Sequence, residues 1–309
     1  MSPHHIYWRF LFWPQLAGVA FLLFGLIANR KQLSFKLDSL PVLGRVFVPF
    51  ALAVFGGEHL ASAGFIKDMV PPWMPAHLFF AYFVGIALFA AAVSIILDRH
   101  VEISASLLGL MFFMFVLMIH IPRVADAPKD RFAWAVVLRD FTFGLGAWTL
   151  AATRIAARRP AFANRVITVC RVLAGVVFLF FGVEHLLHPE FTPGVPLPQL
   201  SPAWMPWKHV WGFCIGVLLL TSGFTMLINK KSRATTTWLG MGVTIVVLCI
   251  NLPMFVVAKE GSDINTAVNY VADTLLFAGT IFFLADAMPI SHKARAVVST
   301  TYVQEESRA

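Results

Sequence analysis

Two stretches place a carboxylate and an imidazole side by side: Phe55-Gly56-Gly57-Glu58-His59-Leu60, and again Phe181-Gly182-Val183-Glu184-His185-Leu186. An acid next to a group that titrates near neutrality is the equipment of a proton relay or of general acid–base catalysis. Each copy closes a long apolar run, where ionisable groups are expensive and mark function or pairing. Other polar residues interrupt apolar sequence in the same way: His120, Asp140, Asn251, Asn269 and Asp273. Adjacent helical residues point about 100° apart, so one member of each Glu-His pair is expected to turn toward a neighbouring helix or the headgroups.

Other chemistries have less behind them. Glu184-His185-x-x-His188 has two imidazoles near one helical turn apart, a spacing that suits a metal, but the first copy reads Glu58-His59-Leu60-Ala61-Ser62 and lacks the second His. No metal site is assigned. Cys170, Cys214 and Cys249 stand singly in apolar segments without a C-x-x-C pair, so they read as small buried hydrophobes. There is no haem or iron–sulfur ligand motif. The net charge of +8 is spread between apolar runs rather than among polar and aromatic residues, which argues against nucleic acid.

The elements that must position these residues are membrane helices. The 309 residues are 59% hydrophobic and 13% charged, with a mean hydropathy of +0.77, which is more apolar surface than one soluble core buries. Nine runs are long enough for ~30 Å of hydrocarbon. They cover about 10–28, 43–60, 77–97, 103–121, 133–153, 166–187, 209–229, 235–257 and 267–287. The fold class expected is all-α, a polytopic bundle of about nine transmembrane helices. Placing 29–45, 98–102, 154–171, 229–234 and 288–309 on one side collects sixteen Lys and Arg there and leaves eight elsewhere. The positive-inside rule makes that side cytoplasmic, with the N-terminus outside.

The chain also matches itself. A shift of 126 aligns Arg45 with Arg171 and the first Glu-His motif with the second. Past a loop five residues longer in the second half, a shift of 131 aligns Trp73-Met74-Pro75 with Trp204-Met205-Pro206, Gly85 with Gly216, Gly109 with Gly240, His120 with Asn251 and Pro122 with Pro253. Two inserted residues later, Asp140 meets Asp273 and Gly146 meets Gly279. The organisation read from this is an N-terminal helix and basic loop (1–42), a four-helix unit (43–153), a basic linker (154–165), a second four-helix unit (166–287) and a polar tail (288–309). An even number of spans per unit makes the repeat parallel. Glu58, His59, His120 and Asp140, and their counterparts Glu184, His185, Asn251 and Asp273, then fall in the outer half of the bilayer. Each unit is expected to line its own small cavity with them, under proline-stiffened loops carrying Trp73 and Trp204.

The chain resembles the DoxX-like family of bacterial four-helix membrane proteins. The second half carries the likeness in Phe181-Gly182-Val183-Glu184-His185-Leu186-Leu187-His188-Pro189-Glu190-Phe191, in Pro202-Ala203-Trp204-Met205-Pro206, and in the run from Val268 through Asn269, Tyr270 and Asp273 to Gly279. The first half reads as a diverged copy. The resemblance implies a multi-pass protein of the bacterial cytoplasmic (inner) membrane, a subunit in redox or proton-linked chemistry of the quinone or sulfur/thiol kind. It also implies partner redox subunits, with Glu184, His185, Asn269 and Asp273 as working residues and Glu58, His59 and Asp140 as first-half equivalents. Trp73, Trp204 and Tyr270 are the candidates for contact with a quinone. A non-catalytic scaffold and a solute or proton transporter are the alternatives.

Overall fold

The computed structural model describes residues 3–34, 36–194 and 199–289, with side chains from Trp13 onward. The polar tail beyond residue 289 and the loop prolines Pro196 and Pro198 lie outside the described residues. Among those described, the regular secondary structure is helical apart from a single two-residue bridge, Phe191 with Leu200.

The long helices are α1 (Pro3–Asn29), α2 (Gly44–Ala61), α3 (His77–Ile96), α4 (Val101–Asp126), α5 (Arg131–Ile155), α6 (Pro160–Leu187), α7 (Lys208–Ile228), α8 (Ser232–Val257) and α9 (Gly261–Asp286). Seven, namely α2 with its 3-10 lead-in from Leu37, α3, α4, α6, α7, α8 and α9, are long and apolar enough to cross a membrane. Helix α5 falls outside that group, as its sequence includes Arg131, Arg139, Asp140 and Arg154. The described side chains of α1, Trp13–Asn29, form a shorter apolar helix.

Helix ends are set by local chemistry. Asp130 caps α5, its carboxylate accepting the Phe132 N–H at 2.9 Å, and Glu260 with Asp263 makes a capping box on α9. At the far end of α9, the Arg233 guanidinium donates to the carbonyls of Ala285 (3.0 Å) and Asp286 (2.7 Å), and to that of Asp38 (3.1 Å). One side chain thereby satisfies orphan carbonyls and ties the start of α8 to the 3-10 turn before α2.

Helices α2 and α9 sit at the centre, most of their residues being buried. Small residues bring neighbours into backbone contact. A Cβ on Gly56 would lie 3.0 Å from the Gly85 carbonyl, and one on Gly182 would lie 3.0 Å from that of Gly216, so α2 crosses α3 much as α6 crosses α7. Between the halves, a Cβ on Gly146 would strike Thr280, and one on Gly279 would meet the Val48 backbone.

Helices α4 and α8 each contain one wide π turn, Val116–His120 and Val247–Asn251. Pro122 and Pro253 follow at the same offset. A proline ring clashes with the carbonyl four residues before it, and a widened turn relieves that clash. His120 and Asn251 are the last residues of these turns, where the backbone is re-aimed. Ala76 and Trp207, Asp98 and Asn229, and His100 and Lys231 are also separated by 131 residues, and all six adopt left-handed backbone angles.

Candidate functional site

The end of the bundle where α2 and α6 finish holds a continuous charged chain. Asp140, buried on α5, receives the His120 ring from α4 at 2.9 Å (Nε2 to Oδ2) and the Arg139 guanidinium at 2.9 Å (Nε to Oδ1). The same guanidinium reaches from Nη1 to Asp273 Oδ2 on α9 at 3.1 Å. Side-chain exposure is 18% or less for all four groups. Arg139 succeeds because its five donors fan out in a plane, so two carboxylates are served by one permanent charge. It also lies over the Phe143 ring, 5.8 Å from its centroid. Glu58 on α2 stands within electrostatic reach of Asp273, as does the buried Tyr270 of both Asp273 and Arg139.

Sequence reading expects two separate clusters, one per half; the structure instead joins them. Arg139 belongs to the first half and pairs with an acid of the second. Arg131 does the same, its Nη1 lying 2.6 Å from Glu184 Oε2. That guanidinium is held over two rings, 4.2 Å from Phe132 and 4.4 Å from Phe191. Neither arginine stands out when basic residues are counted only for orientation. The available signal was Arg139 beside Asp140 inside an apolar run, where a cation needs a partner.

The two histidines fold back on their own helices. His59 Nδ1 lies 2.8 Å from the Phe55 carbonyl, and His185 Nδ1 lies 2.7 Å from that of Phe181. His185 Nε2 accepts the Gly194 N–H at 3.1 Å. A ring nitrogen that accepts carries no hydrogen, so His185 is the Nδ1–H tautomer and donates to Phe181. His188 turns aside to Glu190, at 3.4 Å.

Other expected members lie elsewhere. Asn251 matches His120 in sequence but does not contact Asp273; its amide donates to the Tyr270 carbonyl (3.1 Å) and the Thr274 hydroxyl (2.8 Å), while its Oδ1 is buried without a partner. The reason is spatial: Thr274 supplies an acceptor beside the wide turn, and Asp273 is drawn to Arg139. Asn269 donates to the Asn265 carbonyl one turn back and is half-exposed. Trp73 is 69% exposed and Trp204 40% exposed, so both rings lie largely at the surface. Met205, next to Trp204, is buried in the core instead. Two shallow cavities, of about 200 and 280 Å³, lie by Gln32, Asp38, Arg45 and Asp286 and by Ile155, Arg158 and Arg159, away from these acids.

Chemically, the chain of groups holds three carboxyls (Glu58, Asp140, Asp273) against one permanent cation and one imidazole. With every titratable member deprotonated its charge is −2, and two protons bring it to neutrality. A low-dielectric setting penalises any uncompensated charge, so this arrangement is suited to holding and exchanging protons. Comparison with family models, curated proteins and solved structures finds no match for this chain.

Proposed function

We propose that this chain is a DoxX-like protein of the bacterial cytoplasmic membrane and works as a membrane subunit in proton-linked redox chemistry, with a lipophilic carrier of the quinone class or a sulfur/thiol compound as reactant. The observation that carries the reading is the buried chain His120–Asp140–Arg139–Asp273, with Glu58 beside it. It concentrates exchangeable protons at one end of the bundle. Cys170, Cys214 and Cys249 are unpaired, so the electrons would come through a partner subunit.

The architecture that goes with this is nine crossings, an N-terminal helix followed by two parallel four-helix units. Wide turns and left-handed residues recurring at a spacing of 131 support the duplication. The Lys and Arg distribution supports an outward N-terminus and puts the charged chain in the outer half of the bilayer. Protons would then be exchanged with the outer side.

A scaffold reading has its own support, because Arg139 and Arg131 both strap one half to the other. Purification from native membranes, followed by assays for bound quinone and quinone reduction, separates the two. Turnover lost in Asp140→Asn and Asp273→Asn proteins that remain folded supports the redox subunit. Stable partner subunits that copurify without any bound quinone or turnover would establish the scaffold instead. A pH-dependent flux in sealed vesicles, abolished by Glu58→Gln, would move the assignment to transport.

A further inference from the structure

The two Glu-His motifs are alike in sequence and unlike in their surroundings. Glu184 is neutralised at 2.6 Å by Arg131, whose guanidinium is held over two aromatic rings. The His185 ring is spoken for at both nitrogens. The second contact comes from a strap that enters the bundle: Thr192, Pro193 and Gly194 are buried, with Gly194 set against Thr274 and Val246. Gly194 has φ +107°, a left-handed conformation that favours glycine. The strap is fastened by Thr192 N–H to the Gln199 carbonyl (2.9 Å) and Ser201 N–H to the Glu190 carbonyl (2.8 Å).

The first copy has none of this. Among the described residues Glu58 has no hydrogen-bond partner, and His59 Nε2 has none either. The connection that follows is a helical turn, Ala63–Ile66, and a 3-10 turn, Lys67–Met69, with Phe65 69% and Met69 59% exposed. It stays outside and donates nothing to the His59 ring.

We infer that the duplicated motif has divided its work: Glu58, with His59, is the open group through which the network exchanges protons with its lipophilic ligand, and Glu184 with His185 is a closed structural clasp. The inference rests on the proton-linked reading of the same network. His59 neighbours Glu58 on its own helix and Asp273 of α9 lies within its electrostatic reach; from Asp273 the chain of contacts continues through Arg139 and Asp140 of α5 to His120 of α4, with Tyr270 of α9 within reach of Asp273 and Arg139. Helix α1 has no titratable residue from Trp13 onward, and α3 has His77 and Tyr82. Arg139, the permanent cation of the network, is already shared by Asp140 and Asp273, and among the described side chains no cation donates to Glu58.

A hydrophobic carbodiimide tests this directly, because it modifies carboxyls that are protonated and reachable from lipid. The carboxyl proton passes to a carbodiimide nitrogen and the carboxyl oxygen bonds to the central carbon, giving an O-acylisourea; in apolar surroundings its acyl group then migrates from that oxygen to a nitrogen, the oxygen staying as the urea carbonyl, and leaves a stable N-acylurea for peptide mass mapping. With dicyclohexylcarbodiimide and the full-length protein in native membranes, modification of Glu58 is expected to exceed that of Glu184 by tenfold or more. In an Arg131→Gln variant Glu184 should join it. Equal modification of the two, preference for Glu184, or no modification of Glu58 overturns the inference, and the wild-type chain alone decides it. The readout needs neither quinone nor partner. Selective Glu58 modification in a protein without quinone turnover would therefore sink the redox reading and leave the division of labour standing.

Discussion

The Arg139 guanidinium lies 3.1 Å from Asp273, 134 positions further along the chain, while its Nε holds the neighbouring Asp140 at 2.9 Å. One side chain of the first half therefore satisfies the corresponding aspartates of both halves. Asp140 and Asp273 are the residues that the self-alignment of the sequence puts in register, so Arg139 bridges two aligned positions.

Arg139→Met should be among the most damaging single changes in the protein. It strands two buried carboxylates, and removal of one partner from a buried charge network costs about 3–5 kcal/mol. Thermal unfolding in detergent should fall sharply, and Asp140→Asn with Asp273→Asn in the same chain should restore most of the loss. Arg139→Lys should rescue little, because an ammonium on a flexible stem does not span two carboxylates in a fixed plane. Full stability of Arg139→Met would show that the network is not holding the halves together.

The Arg131–Glu184 contact predicts a smaller and more local effect. The pair is partly exposed, at 27% and 16% for the two side chains, so Arg131→Gln should cost about 1–3 kcal/mol from the lost charged hydrogen bond. The stacking on Phe132 and Phe191 goes with it. Limited proteolysis should then cut the 188–207 connection faster than in the wild type, since Phe191 loses the cation that holds it against α5. Phe191→Ala should reproduce the proteolytic effect with Glu184 still paired.

Most helix positions were legible because a run of about twenty apolar residues between basic or proline-rich segments has few alternatives. Helix α6, expected from 166, begins at Pro160, because Pro at the first turn with Arg159 before it continues the helix into the basic linker. Polar contacts were less legible. That Asp140 and His120 meet follows from helical phase within one half. That Asp273 chooses Arg139 over Asn251 depends on how the halves turn against each other, which no periodicity in the sequence reports. The asymmetry between His59 and His185 was equally hidden, since it comes from a loop that folds inward in one half alone.

The glycine crossings give a test of close helix packing. Gly85→Leu would drive a side chain into His59 Cβ and the Gly56 carbonyl, both about 3 Å from the position of a new Cβ. Overpacking of this kind costs about 1–3 kcal/mol, and Gly216→Leu should do similar harm against His185 and Gly182. The informative comparison is with Gly64→Leu, where a Cβ meets nothing within 4 Å; that variant should unfold at the wild-type temperature. If Gly85→Leu matches it, α2 and α3 do not pack as closely as described.

The wide turn before Pro122 makes a prediction about aim. Restoring an N–H with Pro122→Ala allows α4 to close into a regular helix, and removal of one residue's worth of widening rotates everything beyond it by about 100°. His120, at the end of that turn, should swing away from Asp140. A double-mutant cycle of His120→Ala and Asp140→Asn measures the coupling: about 1–3 kcal/mol is expected for a charge-assisted hydrogen bond in the wild-type background, and close to none in the Pro122→Ala background. Equal coupling in both would mean that helix packing, rather than the proline-induced turn, delivers His120 to the network.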